Sequence, residues 1–269
     1  VRQSGTLLPA GFAPGAAVPT PADSAAGQPS GVIEFAADRL DGSGIANLVL
    51  GDSTPSPLSA PVPTIAFAGN VSLALPESVT LNGGRIAAIG MDQLQTLLAT
   101  PQQPGAAGSA LDALLSQAPA HPLGTKVTID APYVALAGPT ATSSTPQFAP
   151  VETLSDATLN VNASFVDLRN QIQLNNFGHA NLSSRGDIRL SSTSVSQQGN
   201  ALLPGVLYTP GNVTFNAASL YPATGSTFIV DAVGPVDPVT GQRAPTTVTF
   251  GSTGACGTPP SAGGTLLVD

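Results

Sequence analysis

The sequence predicts an all-β chain wound as a parallel β-helix with one short helical insertion, and three observations carry that prediction. The first is a three-residue beat, two apolar positions flanking a small or polar one. It falls at Leu159-Asn160-Val161, Val166-Asp167-Leu168, Ile172-Gln173-Leu174, Ala180-Asn181-Leu182 and Ile188-Arg189-Leu190. It resumes at Val213-Thr214-Phe215, Phe228-Ile229-Val230, Val248-Thr249-Phe250 and Leu266-Leu267-Val268. Alternation over so few residues marks short strands with one buried face. The second observation is what separates the beats: Gly, Asn, Ser, Asp and Pro, which turn a chain at little conformational cost. Short strands without intervening helices stack coil upon coil. The third is charge. Only 9 % of residues are charged, against about 25 % in an ordinary domain. Stacked coils favour this scarcity, because like charges about 4.8 Å apart would repel along the whole ladder.

Taken in order, residues 1–30 hold Pro9, Pro14, Pro19, Pro21 and Pro29, which forbid a helix or a central strand and predict a strap or linker. Strands are expected at Val32–Phe35 and Asn47–Gly51, separated by a turn at Leu40–Gly44, and the proline-rich 53–63 reads as a loop. Ile65–Phe67, Val71–Leu75, Val79–Leu81 and Ile86–Ile89 follow as strands. The period then changes. Met91, Leu94, Leu97 and Leu98 share one helical face, and Ala110–Leu115 repeats the pattern, with Ser109 as N-cap and Asp112 in the first turn. Residues 90–121 therefore predict a helical hairpin inserted at a coil corner, with a lid or a partner-binding helix pair as the functional alternative. Strands return at Val127–Ile129 and Tyr133–Leu136, a loop spans 138–150, the most regular part runs over 154–230, and a second loop covers 234–246. At roughly 20–30 residues per coil the chain affords about eight to ten coils, and at ~4.8 Å per coil a rod of about 40–50 Å.

Composition excludes several functions. The net charge is −8 and Lys126 is the only lysine, so nucleic acid is not an expected partner, since neutralising phosphates takes clustered cations. An anionic membrane surface is disfavoured likewise, and no apolar run approaches the ~18–20 residues of a membrane helix. A single cysteine, Cys256, permits no internal disulfide and reads as a small loop residue. Val1 in place of Met, and the stop at Asp269 directly after a strand, read as marks of a longer parent chain.

Several segments resemble the family of large filamentous haemagglutinin-type proteins exported by two-partner secretion. The strongest is Gly211–Gly225, which carries Ala217-Ala218, Tyr221-Pro222 and Thr224-Gly225 behind a strand. Asn176-Phe177-Gly178 followed by Gly186-Asp187-Ile188, Pro260–Leu266, and Ala131-Pro132 with Val134-Ala135-Leu136 match further beats of the same domain. Ala37–Gly44 with Leu48–Gly51 fits more loosely. The resemblance implies a right-handed β-helical shaft over 31–269 of a secreted, cell-surface bacterial adhesin. Implied partners are an outer-membrane two-partner secretion transporter, glycans or proteins on host or neighbouring cells, and further copies in filaments. The helical insertion departs from the family pattern. Two rivals stand beside this reading: the stalk of a contact-dependent growth inhibition toxin and a β-helical polysaccharide-degrading enzyme.

Candidate chemistry is sparse. A hydrolytic pair needs two carboxylates within about 5–10 Å, and Asp156, Asp167 and Asp187 are the candidates, each without an evident partner. Asp38 and Asp41 beside Arg39 read as turn residues. His121 and His179 lie far apart in sequence without ligand spacing, so neither a zinc site nor any other cofactor is expected. No nucleophile elbow, P-loop or dinucleotide fingerprint occurs. Catalytic, metal and cofactor residues are accordingly expected to be none. Arg185-Gly186-Asp187 spells an integrin-type tripeptide but precedes a strand and reads as a turn. Asn70, Asn162, Asn181 and Asn212 head Asn-x-Ser/Thr sequons, which a chain rich in these residues produces by chance and which some adhesins of this type carry glycosylated. Asn160, Asn175, Asn181 and Asn216 are expected to stack or to cap turns.

Overall fold

A computed structural model describes residues 1–4, 35–51, 64–99, 107–117, 119, 121–140, 153–194, 202–237, 239–254 and 263–269. Within them the chain is mostly strand and forms three parallel sheets of six strands each. The chain visits the sheets in rotation. The first circuit is β1 (Asn47–Gly51), β2 (Thr64–Ala68) and β3 (Val71–Ala74), and the second is β4 (Ser78–Asn82), β5 (Arg85–Ile89) and β6 (Lys126–Asp130). Among the described residues the third has only β7 (Tyr133–Ala137) and β8 (Ala157–Ala163). The fourth is β9 (Phe165–Arg169), β10 (Gln171–Asn175) and β11 (Phe177–Ser184); the fifth is β12 (Asp187–Ser191), β13 (Gly205–Thr209) and β14 (Asn212–Ala217). The sixth is β15 (Ser219–Pro222), β16 (Thr227–Ala232) and β17 (Val248–Ser252), after which β18 (Thr265–Val268) opens another. The first sheet is thus β1-β4-β7-β9-β12-β15, the second β2-β5-β10-β13-β16-β18, and the third β3-β6-β8-β11-β14-β17.

The second sheet skips the third circuit: β10 pairs directly with β5. Just after β7 the chain runs against the start of β10, and a Cβ on Gly138 would stand 1.8 Å from the Gln171 carbonyl oxygen. Elsewhere the register carries like onto like. Leu159 meets Ala180, Val161 meets Leu182, Val213 meets Val248 and Phe215 meets Phe250. Strand β8 alternates buried and solvated positions along its length, as a strand with one inner face must. The inward residues form one continuous core in which Phe67, Phe177, Phe215 and Phe228 are the largest fully buried side chains. Each such residue contributes roughly 1.5–3 kcal/mol on burial. Two corners of the fourth circuit are single asparagines in left-handed backbone, Asn170 (φ 61°) and Asn176 (φ 62°). Asparagine tolerates that region because its short amide bonds locally. Asn170 donates to the Gly138 carbonyl at 3.1 Å and accepts from Thr193 N at 2.8 Å, while Asn176 donates to the Ala88 carbonyl at 3.0 Å.

The two helices, α1 (Met91–Ala99) and α2 (Ala107–Leu115), lie between β5 and β6. Leu94 and Leu115 form a second apolar cluster with Ala68, Ala87 and Ile89, which face outward from the second sheet. Hence β5 is buried at every residue although its own core face uses only alternate positions. Three details differ from the sequence reading. Met91, expected on the apolar face, is 43 % exposed at the start of α1. Ser109 lies within α2 and is not its N-cap, and Asp112 is not in the first turn. Asp112 instead pairs with Arg85 of the sheet beneath.

The expected eight to ten coils are six strands per sheet. Loops and the insertion consume the remaining length: only the tightest circuits are near 21–22 residues, as the Asn160–Asn181 and Asp167–Arg189 pairs show. At ~4.8 Å spacing, six strands stand about 24 Å tall rather than 40–50 Å. Strands β13 and β15 were not among those expected, and the strand expected at Val32–Phe35 falls mainly outside the described residues. Of the 1–30 linker, residues 1–4 are described. Arg2 bridges Ala36 and Ala68 in parallel, and Ala68 N donates to the Val1 carbonyl at 2.8 Å, so this piece lies along the edge of the second sheet. At the other end Phe250, Leu267 and Val268 are about half exposed, at 50 %, 49 % and 49 %.

Candidate functional site

Two outer surfaces gather polar side chains. On the first sheet, Tyr133, Phe165, Asp167, Arg189 and Tyr221 come from strands β7, β9, β12 and β15, which no local sequence feature links. Asp167 is fully buried. It accepts Arg189 Nε at 3.1 Å on Oδ1 and Nη2 at 2.6 Å on Oδ2, and the Tyr133 hydroxyl at 3.0 Å; Arg169 Nε stands 3.6 Å away. A planar fork gripping both oxygens is the strongest geometry for such a pair. Tyr133 stacks on Phe165 with centroids 6.0 Å apart, and the Arg189 guanidinium lies 5.5 Å from the Phe165 centroid. Burial, then the Asp167 charge, raises the Tyr133 pKa, and the hydrogen bond to Asp167 raises that of Arg189. Burial, then Asp187, does the same to Tyr221. Asp167 therefore works as a clamp that holds β7, β9 and β12 in register.

The third sheet presents a flatter surface. One outward row runs Ser72, Thr128, Asn160, Asn181, Thr214, Thr249, one residue per strand. Asn181 donates to Asn160 at 3.0 Å. The neighbouring row is Ala74, Asp130, Asn162, Ser183, Asn216, Gly251, in which Asn162 donates to Asp130 at 2.7 Å. Beside this second row, where the chain turns toward the first sheet, a groove of about 680 Å³ runs across the strands. Asp130, Asn162, Ser183 and Arg185 form its polar wall, and Leu75, Ala131 and Ala163 contribute apolar surface.

The candidates from the sequence distribute as follows. Asp167 and Asp187 share the outer face of the first sheet, on adjacent strands. Asp156 is apart from them, accepting Leu123 N at 2.6 Å and Gly124 N at 3.1 Å ahead of β8. Asp38 and Arg39 lie in a short 3-10 helix, Ala37–Leu40, that Asp41 closes. His121 is exposed; its Nε2 meets Asp92 Oδ2 at 3.2 Å and its Nδ1 donates to the Pro122 carbonyl at 3.0 Å. The Pro122 carbonyl, then Asp92, raises its pKa above 6.5. His179 is exposed beside a bulge in β11, and Gly178 there leaves no room for a Cβ, which would stand 2.4 Å from the Ser155 carbonyl oxygen. Arg185 and Gly186 turn the chain between β11 and β12, Arg185 donating to Ser164 Oγ at 3.1 Å, and Asp187 starts β12. The sequon asparagines all belong to the third sheet or its approach: Asn70 accepts Lys126 N at 2.7 Å, Asn212 accepts Thr247 N at 2.9 Å, and Asn162 and Asn181 donate as above. Asn175 departs from its expected stacking role. It is fully buried and neither side-chain atom has a hydrogen-bond partner. Cys256 and Pro260–Ala262 lie outside the described residues.

Among the described residues no group of His, Cys, Asp or Glu could hold a metal ion, and no helix is long and apolar enough to cross a membrane. The groove and the Asp167 clamp were missed from sequence, because both are assembled by register between circuits. Comparison with known proteins finds no matching family model, no matching curated protein and no matching solved structure.

Proposed function

We propose that the chain is a segment of a right-handed parallel β-helix serving as the shaft of a secreted, surface-displayed bacterial adhesin of the filamentous haemagglutinin type. The observation that supports this best is the one-residue-per-strand register kept by three parallel sheets, with polar side chains spent on cross-strand clamps such as Asp167. Parallel crossovers are right-handed in nearly all proteins, which supports the hand. On this reading the outer faces offer many shallow contacts to glycans or proteins on neighbouring cells, and affinity comes from repetition. A two-partner secretion transporter in the outer membrane would export the parent chain, whose copies associate into filaments.

Beads coated with the purified chain test the attachment role. Epithelial and bacterial cells should bind them several-fold more than albumin-coated beads of equal protein density. Equal binding overturns the adhesin reading, and a left-handed or hairpin-linked path in a crystal structure overturns the shaft.

A further inference from the structure

The groove on the third sheet has a form that selects its occupant. It runs perpendicular to the strands, so its polar wall repeats once per strand, at about 4.8 Å. Its volume of about 680 Å³ falls within the range of ligand sites, roughly 300–1,000 Å³. Leu75, Ala131 and Ala163 are only 6 %, 7 % and 6 % exposed, so the apolar surface is sunk below the rim. Above it stand polar side chains of mixed character: the Asp130 carboxylate accepts, the Asn162 amide and the Ser183 hydroxyl donate and accept, and Arg185 donates. Asp130 Oδ1 already receives Asn162 Nδ2, and Arg185 donates to Ser164. One carboxylate and one guanidinium leave the wall without net charge, which gives a polyanion nothing to neutralise.

A peptide is a poor fit for a different reason. Strand addition needs a free backbone edge, whereas β6, β8 and β11, which carry Asp130, Asn162 and Ser183, each have a paired strand on both sides, and only β3 at the end of the groove is an edge strand. We propose that the groove binds a neutral, extended polysaccharide lying parallel to the stack, its ring faces over the sunken apolar surface and its hydroxyls on Asp130, Asn162 and Ser183. Sugar hydroxyls, which donate and accept, suit a wall that offers a carboxylate acceptor at Asp130, an amide at Asn162 and a hydroxyl at Ser183 on successive strands. The proposal rests on the attachment reading and gives it a ligand class.

Titration calorimetry with cellohexaose, chitohexaose and laminarihexaose, beside a heparin hexasaccharide and a Ser/Gly-rich dodecapeptide, tests it. At least one neutral hexasaccharide should bind, with affinity insensitive to added salt. Asn162→Trp, an exposed position that would block the groove, should weaken binding at least tenfold, and Asn162→Ala severalfold. Val49→Trp, on the outer face of the first sheet, should leave it unchanged. The proposal is overturned if no neutral sugar binds, if binding survives Asn162→Trp, or if only heparin or the peptide binds. Cell attachment by wild-type beads without any sugar binding would sink the groove alone and leave the adhesin reading standing.

Discussion

The outer faces of the second and third sheets are built from the same strand geometry and are put to opposite use. On the third, outward residues stay at the surface as Ser, Thr and Asn rows, and β8 alternates cleanly. On the second, α1 and α2 cover β5, and both β5 and β10 are buried at every position. There Arg85 is 8 % exposed, Gln173 1 % and Asn175 not at all. The covered face thus carries polar groups that the open face could have hydrated for nothing. An amide left without a partner in such a place costs about 1–3 kcal/mol. Cover and polarity are therefore in conflict on one side of the molecule and reconciled on the other.

That contrast can be broken most forcibly through the cover itself. Leu115 is fully buried against the second sheet, and Leu115→Ala should destabilise the fold by about 2–5 kcal/mol, read as a lowered denaturant midpoint. A change below the noise of the measurement would mean that the helices do not seal the sheet. Next in size, Asn175→Leu should stabilise by about 1–2 kcal/mol, because an amide without partners is replaced by a side chain of similar volume. A loss of stability would show that Asn175 has found a partner, such as a buried water.

On the open face, Asn181→Ala removes one cross-strand bond to Asn160 and should cost only about 0.5 kcal/mol. A loss as large as that of Leu115→Ala would erase the distinction between the faces. The smallest effect concerns the base of the cover, where exposed His121 meets Asp92 of α1. Its pKa is raised in the folded state, so its contribution is complete below 6.5 and disappears as pH climbs through the folded value. An NMR titration should place the His121 midpoint above 6.5, and Asp92→Asn should lower it; an unchanged midpoint would remove Asp92 as a cause.

Sixteen of the strands coincide with apolar beats visible in the sequence, since alternation is a local property. Strand β15 escaped because it ends in Pro222; β13 carries an apolar triplet, Val206-Leu207-Tyr208, of the same kind as Phe228-Ile229-Val230, and no local feature separates the two. The covered face escaped for a deeper reason: Gln171-Ile172-Gln173-Leu174-Asn175 alternates like any half-solvated strand, and only the tertiary cover buries its polar half. Asp167 shows the same limit. Its partners Tyr133 and Arg189 lie 34 and 22 residues away, distances set by circuits of unequal length. The groove depends on that register as well, since Asp130, Asn162 and Ser183 belong to three circuits.

The direct pairing of β10 with β5, across a circuit that places no strand between them, has a mechanical consequence. Between β5 and β10 the second sheet climbs one spacing while its two companions climb two. A masonry column with a course left out of one wall leans toward that wall, and the omission here amounts to about 4.8 Å. The circuits above the omission should therefore tilt toward the helix-bearing side, and the number and placing of such omissions should set the curvature of a stack built this way.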